Sequence, residues 1–183
     1  LDVVTVPLTM TLGEKSFVDD ETLDLPGFMV EMKNCTDRIG SAAPSPMLYK
    51  EAFLGAHTSF AVTLSSNLSA SYANAMLGKT LAEEEGADVH VFDSKSASAA
   101  EILVVLRLRR LIDEGLHKAH IIAAVENFIH EMKTYFVLDN IDNLLKNGRL
   151  NKVVGKLIFL LNIKPVMGAD KDGNIALYDH ARG

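Results

Sequence analysis

Cysteine is almost missing from these 183 residues: Cys35 stands alone, so no disulfide can close within the chain, and a reducing cytoplasm is the expected setting. Long hydrophobic runs are missing as well. Ile102 to Leu106 and Leu157 to Leu161 are typical of the longest, far short of the roughly 18 residues that cross a bilayer, so no stable membrane insertion is expected. There is no excess of positive charge: the formal net charge is -6, which argues against a general nucleic-acid binder. Neither Gly-x-x-x-x-Gly-Lys-Ser/Thr nor Gly-x-Gly-x-x-Gly occurs, and no Gly-x-Ser-x-Gly elbow presents a serine nucleophile. The six histidines show no metal spacing, so neither a metal nor another cofactor is expected. Internal repeats and low-complexity linkers are absent too.

What remains is ordinary for a globular chain, with 48% hydrophobic and 23% charged residues, enough for one sizeable core or for one domain and part of another. Charge is distributed unevenly. From Glu14 to Asp37 there are seven acidic and two basic residues, whereas Asn143 to Ala169 carries five basic residues and no acid, so a local anion site is compatible with an acidic protein. The cluster Asp19, Asp20, Glu21 and Asp24 lacks the spacing and glycine of a calcium loop and reads as solvated surface. The chain opens at Leu1 without methionine and stops at Gly183 just after a strand-like run. Incompleteness is therefore expected at both ends.

The stretch on which the rest turns is Leu64-Ser65-Ser66-Asn67-Leu68-Ser69-Ala70-Ser71. It follows the apolar run Phe60 to Leu64 and leads into a helical pattern with Leu68, Tyr72, Ala75 and Met76 on one stripe, which predicts strand, hydroxyl-rich turn and helix. A helix start carries N–H groups without intrahelical partners and partial positive charge, so the turn reads as a cradle for a carboxylate or phosphate. The competing reading is that its serines only cap the helix.

Around this turn the pattern predicts a strand and a hairpin over Val3 to Val18, turning at Gly13-Glu14-Lys15, a short helix beginning near Pro26, and a loop from Arg38 to Pro46. Ser45 should cap a helix running from Pro46 toward Ala56. A strand over Val89 to Phe92 precedes a helix over Ala97 to Glu114, expected to be buried at its start and solvated at its end. The helix from His117 to Lys133 shows the stripe Ile121, Ile122, Val125, Phe128, Ile129 and Met132. Thr134 to Leu138 follows as a strand, and Asp139 can cap a helix from Asn140 to Lys146. Alternating strands and helices predict an α/β fold with a parallel sheet. A later amphipathic helix through Val153 and Leu161, then a hairpin of Ile163–Gly168 with Ile175–Asp179, predict the start of a second α+β lobe. The division expected is an α/β lobe over 1–147 and the beginning of the second lobe over 148–183.

Six segments then fall in a recognisable order: Ser41 to Pro46, Ser65 to Ala70, Asp93 to Ser96, Lys146-Asn147-Gly148-Arg149, Ile163-Lys164-Pro165 and Ala181-Arg182. In this order the chain resembles the DegV family of bacterial fatty-acid-binding proteins over nearly its whole length. Ala42, Ala43, Asn67, Ala70 and Asn147 depart from that family's motifs. The resemblance implies a DegV-like lobe followed by a lipid-binding lobe, with one long-chain fatty acid, such as palmitate or oleate, buried in an apolar tunnel. It also implies a non-catalytic carrier, which in some members presents the carboxylate to a fatty-acid kinase. Carried over by position, Ser41 and Ser69 would hydrogen-bond the head group, beside Ser66 and Asn67 of the same turn. Arg149 would belong to the polar network behind it, and Arg182 to the exposed mouth. Ser41 can also be a plain loop hydroxyl, and Arg149 can equally neutralise a helix C-terminus.

Two other functions stay open on the residues. One is a serine hydrolase or acyltransferase with Ser66 or Ser69 as nucleophile, although no histidine is placed by sequence to act as base. The other is a phosphate-binding module using the same helix start.

Overall fold

The computed structural model describes residues 3–138, 141–150 and 164–181. The chain divides into two compact units, Leu1–Phe60 with Ala73–Val89, and Ala61–Tyr72 with His90–Gly183. A boundary at 147/148, expected from the sequence, falls inside the second of these. Among the described residues no helix is long and apolar enough to cross a membrane.

In the first unit, β1 (Thr9–Leu12) and β2 (Lys15–Val18) form the expected hairpin, turning at Gly13 with φ +60°. The third strand of this antiparallel sheet, β3 (Ile39–Ala42), lies within the stretch expected to be a loop. Its four residues include only one β-branched side chain and have weak strand preference of their own. Pairing with β1 in the register Met10↔Ser41 makes it a strand, a tertiary effect that local propensity does not register. Helix α1 (Leu25–Asn34) starts where Pro26 predicts, with the Asp24 carboxylate accepting from Gly27 N. Its Phe28 is buried edge-on against Phe17, ring centroids 5.1 Å apart.

Ser45 caps α2 (Pro46–Leu54) as expected, its hydroxyl accepting from Leu48 N at 3.4 Å. Against α2 lies α3 (Ser71–Glu83), and Gly78 is the residue that permits the approach. A Cβ there would stand 2.7 Å from Pro46 O and 2.7 Å from Tyr49 Cβ. Lys50 pairs with Glu85 across the same contact at 2.5 Å, and Asn74 Nδ2 donates to Pro44 O.

Strands β4 (Thr58–Thr63) and β5 (Asp88–Asp93) are hydrogen-bonded neighbours. Asp88 N donates to His57 O and Ser94 N to Thr63 O, a constant offset that makes the pair parallel. The fold is thus of the mixed α/β class, with a parallel pair and antiparallel sheets beside it in the sequence.

In the second unit, α4 (Ala99–Asp113) buries Ala100, Val104, Leu108 and Leu111, one stripe at helical spacing. Helix α5 (Lys118–Glu131) buries Ile121 and Val125 of its expected stripe, with Ile122, Phe128 and Ile129 half-buried. The start of α4 is not buried all round, contrary to expectation: Ile102, Leu103 and Leu106 are 60%, 51% and 58% exposed. One narrow stripe satisfies the packing of this helix, and apolar content off that stripe says nothing about what covers it.

The last sheet joins β6 (Tyr135–Val137), β7 (Lys164–Ala169) and β8 (Ile175–Ala181), all antiparallel. The β7–β8 hairpin is as expected. Strand β6, which the alternation grouped with the parallel strands, pairs antiparallel with β7 in the register Phe136↔Met167. Met167 and Leu150 are buried at the centre of a cluster with Phe136, Leu144 and Leu177, and burial of Met167 against these groups outweighs the local pattern. Helix α6 (Asp142–Lys146) begins after Ile141. The expected cap Asp139 and the helix through Val153 and Leu161 lie outside the described residues.

Candidate functional site

The serine turn connects β4 to α3, and most of its polar atoms are engaged with named partners. Ser65 is its hub. Fully buried, Ser65 donates its N–H to Ser96 O at 2.8 Å, and its carbonyl accepts from Leu68 N and Ser69 N. Its hydroxyl accepts from Asn67 N at 3.2 Å and donates to Gly173 O at 2.8 Å. The N–H, the carbonyl and both capacities of the hydroxyl are satisfied, so burial of this small residue leaves no polar atom unpaired.

Ser66 turns toward β5. Its N–H and hydroxyl both donate to Asp93, at 3.1 and 2.6 Å, and the same carboxylate accepts from Lys95 N with Lys95 Nζ 3.6 Å away. Beyond Asp93, Ser94 and Ser96 are buried and bond each other, and Ser96 shares a 2.7 Å hydrogen bond with Thr134. This loop is held in a costly backbone shape, because Lys95 and Ser98 have φ of +54° and +57° without being glycine. Through these bonds Asp93 and Ser94 act as turn groups.

Asn67 donates its side-chain amide to Asp172 O at 2.7 Å, and Arg149 donates Nε to Leu68 O at 3.2 Å. Ser69 is half-buried and Ser71 buried. The Ser69 hydroxyl accepts from Ser71 N at 3.1 Å, the capping role weighed from the sequence, and lies 2.8 Å from the Ser71 hydroxyl. Two hydroxyls carry two protons, and one spans the pair. The other is not used by any described residue and can be donated to an acceptor at the origin of α3.

Four of the six residues singled out from the sequence, Ser66, Asn67, Ser69 and Arg149, are thus brought onto one turn. Ser41 is an exposed residue of β3 in the first unit. Arg182 lies outside the described residues. Two residues of the turn, Ser65 and Ser71, were not singled out as binding groups, nor was Gly173 at the tip of the β7–β8 hairpin. Ser71 could have been found from its place two residues beyond Ser69, on the same helix start. Ser65 and Gly173 carry no local signal of their contact. Among the described residues no group of His, Cys, Asp and Glu could hold a metal ion.

The hairpin tip that meets the turn is itself organised by Asp170. Its carboxylate accepts from the N–H groups of Asp172 and Asn174 and from the Asn174 side chain, and Gly173 N donates to Asp170 O. The Asn174 N–H, foremost among these donors, holds the Asp170 carboxyl below the ordinary aspartate range, while slight burial works the other way. A depressed folded-state pKa contributes order that is present above the ordinary value and lost as pH falls through the lowered one. The amide resonance of Asn174 is expected to hold steady as the pH falls through the ordinary aspartate range and to move only below it. In Asp170→Asn that step should vanish; a step that persists would assign the titration elsewhere.

The chain as a whole is similar to a family of known proteins. The model of the DegV family, described as "Uncharacterised protein, DegV family", matches residues 1–183. A DegV domain-containing protein of Streptococcus pneumoniae is 41% identical over 182 residues, covering 98% of this chain and 65% of that protein. Among solved structures, the Streptococcus pneumoniae Fatty Acid Kinase (Fak) B3 protein loaded with linoleic acid superposes with a TM-score of 0.92 at 40% identity, over 98% of this chain and 65% of that one. A DegV family protein from Ruminococcus gnavus, refined with vaccenic acid, gives a TM-score of 0.88 at 36% identity, over 97% of this chain and 64% of that one. The chain spans just under two thirds of the length of these relatives. With its whole length matched and its fold shared, the chain belongs to the DegV family.

Proposed function

We propose that this chain is part of a non-catalytic, cytoplasmic carrier that buries one long-chain fatty acid and holds its carboxylate at the serine turn. The observation that carries the reading is the Ser69–Ser71 hydroxyl pair at the origin of a 13-residue helix, with one proton to spare. A carboxylate set there gains a charge-assisted hydrogen bond and the favourable end of the helix dipole. In this reading Ser69 contacts the ligand, while Ser66, Asn67 and Arg149 hold the turn that presents it. Ser41 as a second head-group contact and Arg182 at the mouth enter on the order of the family motifs alone.

The relatives support the ligand class, since structures in this family carry linoleic, vaccenic and heptadecanoic acids. Presentation of the carboxylate to a fatty-acid kinase is proposed on the same ground, from the relative whose name includes that kinase. Burying an acyl chain gains about 0.8 kcal/mol per CH₂, against about 1.5–3 kcal/mol for one charge-assisted hydrogen bond. The chain should therefore set affinity and the turn should set orientation.

Neither alternative finds support. The Ser66 hydroxyl is committed to Asp93, and no histidine among the described residues hydrogen-bonds Ser66 or Ser69 to act as a base. Organic extraction of the purified full-length protein followed by mass spectrometry is expected to release a long-chain fatty acid. Failure to recover acyl lipid, together with no uptake of added palmitate or oleate, would overturn the proposal.

A further inference from the structure

We infer that the tip of the β7–β8 hairpin is the positioning element of the head-group turn, with Gly173 and Ser65 as the residues through which it acts. The inference rests on the fatty-acid reading above. Two adjacent regions of the turn hold consecutive carbonyls of the hairpin tip: Asn67 Nδ2 on Asp172 O at 2.7 Å, and Ser65 Oγ on Gly173 O at 2.8 Å. Gly173 is buried, has φ +83°, and has no room for a side chain. A Cβ there would stand 2.3 Å from Ser65 Oγ and 3.0 Å from Lys95 Cα. Glycine is thus required twice over, once for the backbone angle and once for the close approach.

The tip is wedged between the serine turn and the Lys95 loop. On one side it touches Ser65, whose carbonyl receives the N–H of Ser69 at 3.1 Å, within the same residue as the hydroxyl that would meet the ligand. On the other it touches a residue already forced to positive φ. Within the tip, the Asp170 carboxylate fixes Asp172 and Asn174, so the two accepting carbonyls are presented by a stiffened loop. None of these groups needs to contact a fatty acid. They set where Ser69 stands, and a displacement of about an ångström at a binding group is enough to degrade its hydrogen bond.

The test uses the full-length protein and two readouts. Ser65→Ala adds no volume, and it removes both the bond to Gly173 O and the acceptor for Asn67 N. In the ligand-free variant, amide exchange at Leu68 and Ser69 is expected to rise at least tenfold over wild type. Affinity for palmitate should fall at least tenfold, while affinity for hexadecanol, with the same tail and no charge, changes less than twofold. Gly173→Ala should reproduce this split if it folds; Asn67→Ala, at an exposed residue, should give a weaker version in either case. Unchanged exchange with unchanged palmitate binding would overturn the inference, and so would equal losses for acid and alcohol. Raised exchange in a protein whose wild type takes up no fatty acid would sustain the positioning of the turn and bring down the ligand reading instead.

Discussion

Replacing Ser69 by alanine is expected to weaken binding of a long-chain fatty acid by on the order of ten- to a hundredfold, the equivalent of one hydrogen bond to a charged group. The same substitution removes the acceptor for Ser71 N, so it should also lower stability by about 1 kcal/mol through loss of a helix cap. The two losses are separable. Unfolding of the ligand-free protein reports the cap alone, whereas the ratio of affinities for a fatty acid and the matching alcohol reports the head group. Ser71→Ala should lower the acid affinity less, because Ser69 keeps its own proton and donates it outward. If Ser69→Ala alters stability but leaves the acid-to-alcohol ratio at its wild-type value, the hydroxyl is a cap and the carboxylate site lies elsewhere.

The second large effect is expected at Gly78, where intuition from helix propensity gives the wrong sign. Alanine in a helix interior is favoured over glycine by about 1 kcal/mol. At this position its Cβ would lie 2.7 Å from Pro46 O and Tyr49 Cβ and 3.1 Å from Lys50 N, and two of those three atoms are backbone. Helix α2 would have to move away from α3, taking the buried ring of Tyr49 with it. A net destabilisation of about 2 kcal/mol is expected from such overpacking, read as a lower denaturant midpoint with an unchanged slope. A Gly78→Ala variant as stable as wild type would mean that the two helices can separate freely.

Much of the architecture was legible because its causes are local. Ser45 caps the helix that begins at Pro46, α1 starts within one residue of Pro26, and α5 carries its buried stripe in plain periodicity. Gly13 and Gly173 mark hairpin turns that the structure contains. What was not legible depends on partners far along the chain. Strand β3 exists because β1 pairs with it, and β6 joins β7 because Met167 is buried in a cluster that includes Phe136 and the leucines of α6. At the site, the chemistry of the turn was readable but the division of labour was not. Ser66, Asn67, Ser69 and Arg149 look alike as polar residues beside a helix start. Only their separate partners, Asp93, Asp172, Ser71 and Leu68, distinguish a group that holds the turn from one with a proton left to give. Ser65 was not among the residues singled out, yet it ties the turn to both the Ser96 loop and the hairpin tip.

The contact between Ser65 and Gly173 spans 108 positions of sequence. A ribosome adding about 5–20 residues per second needs roughly 5–20 seconds to travel from one to the other. Throughout that interval the nascent turn lacks the hairpin carbonyl that takes up the Ser65 hydroxyl, so its serines emerge long before they can be set in place. In the proposed reading, lipid capture is therefore a late event in biogenesis, and chains stalled before residue 173 should leave the ribosome empty-handed.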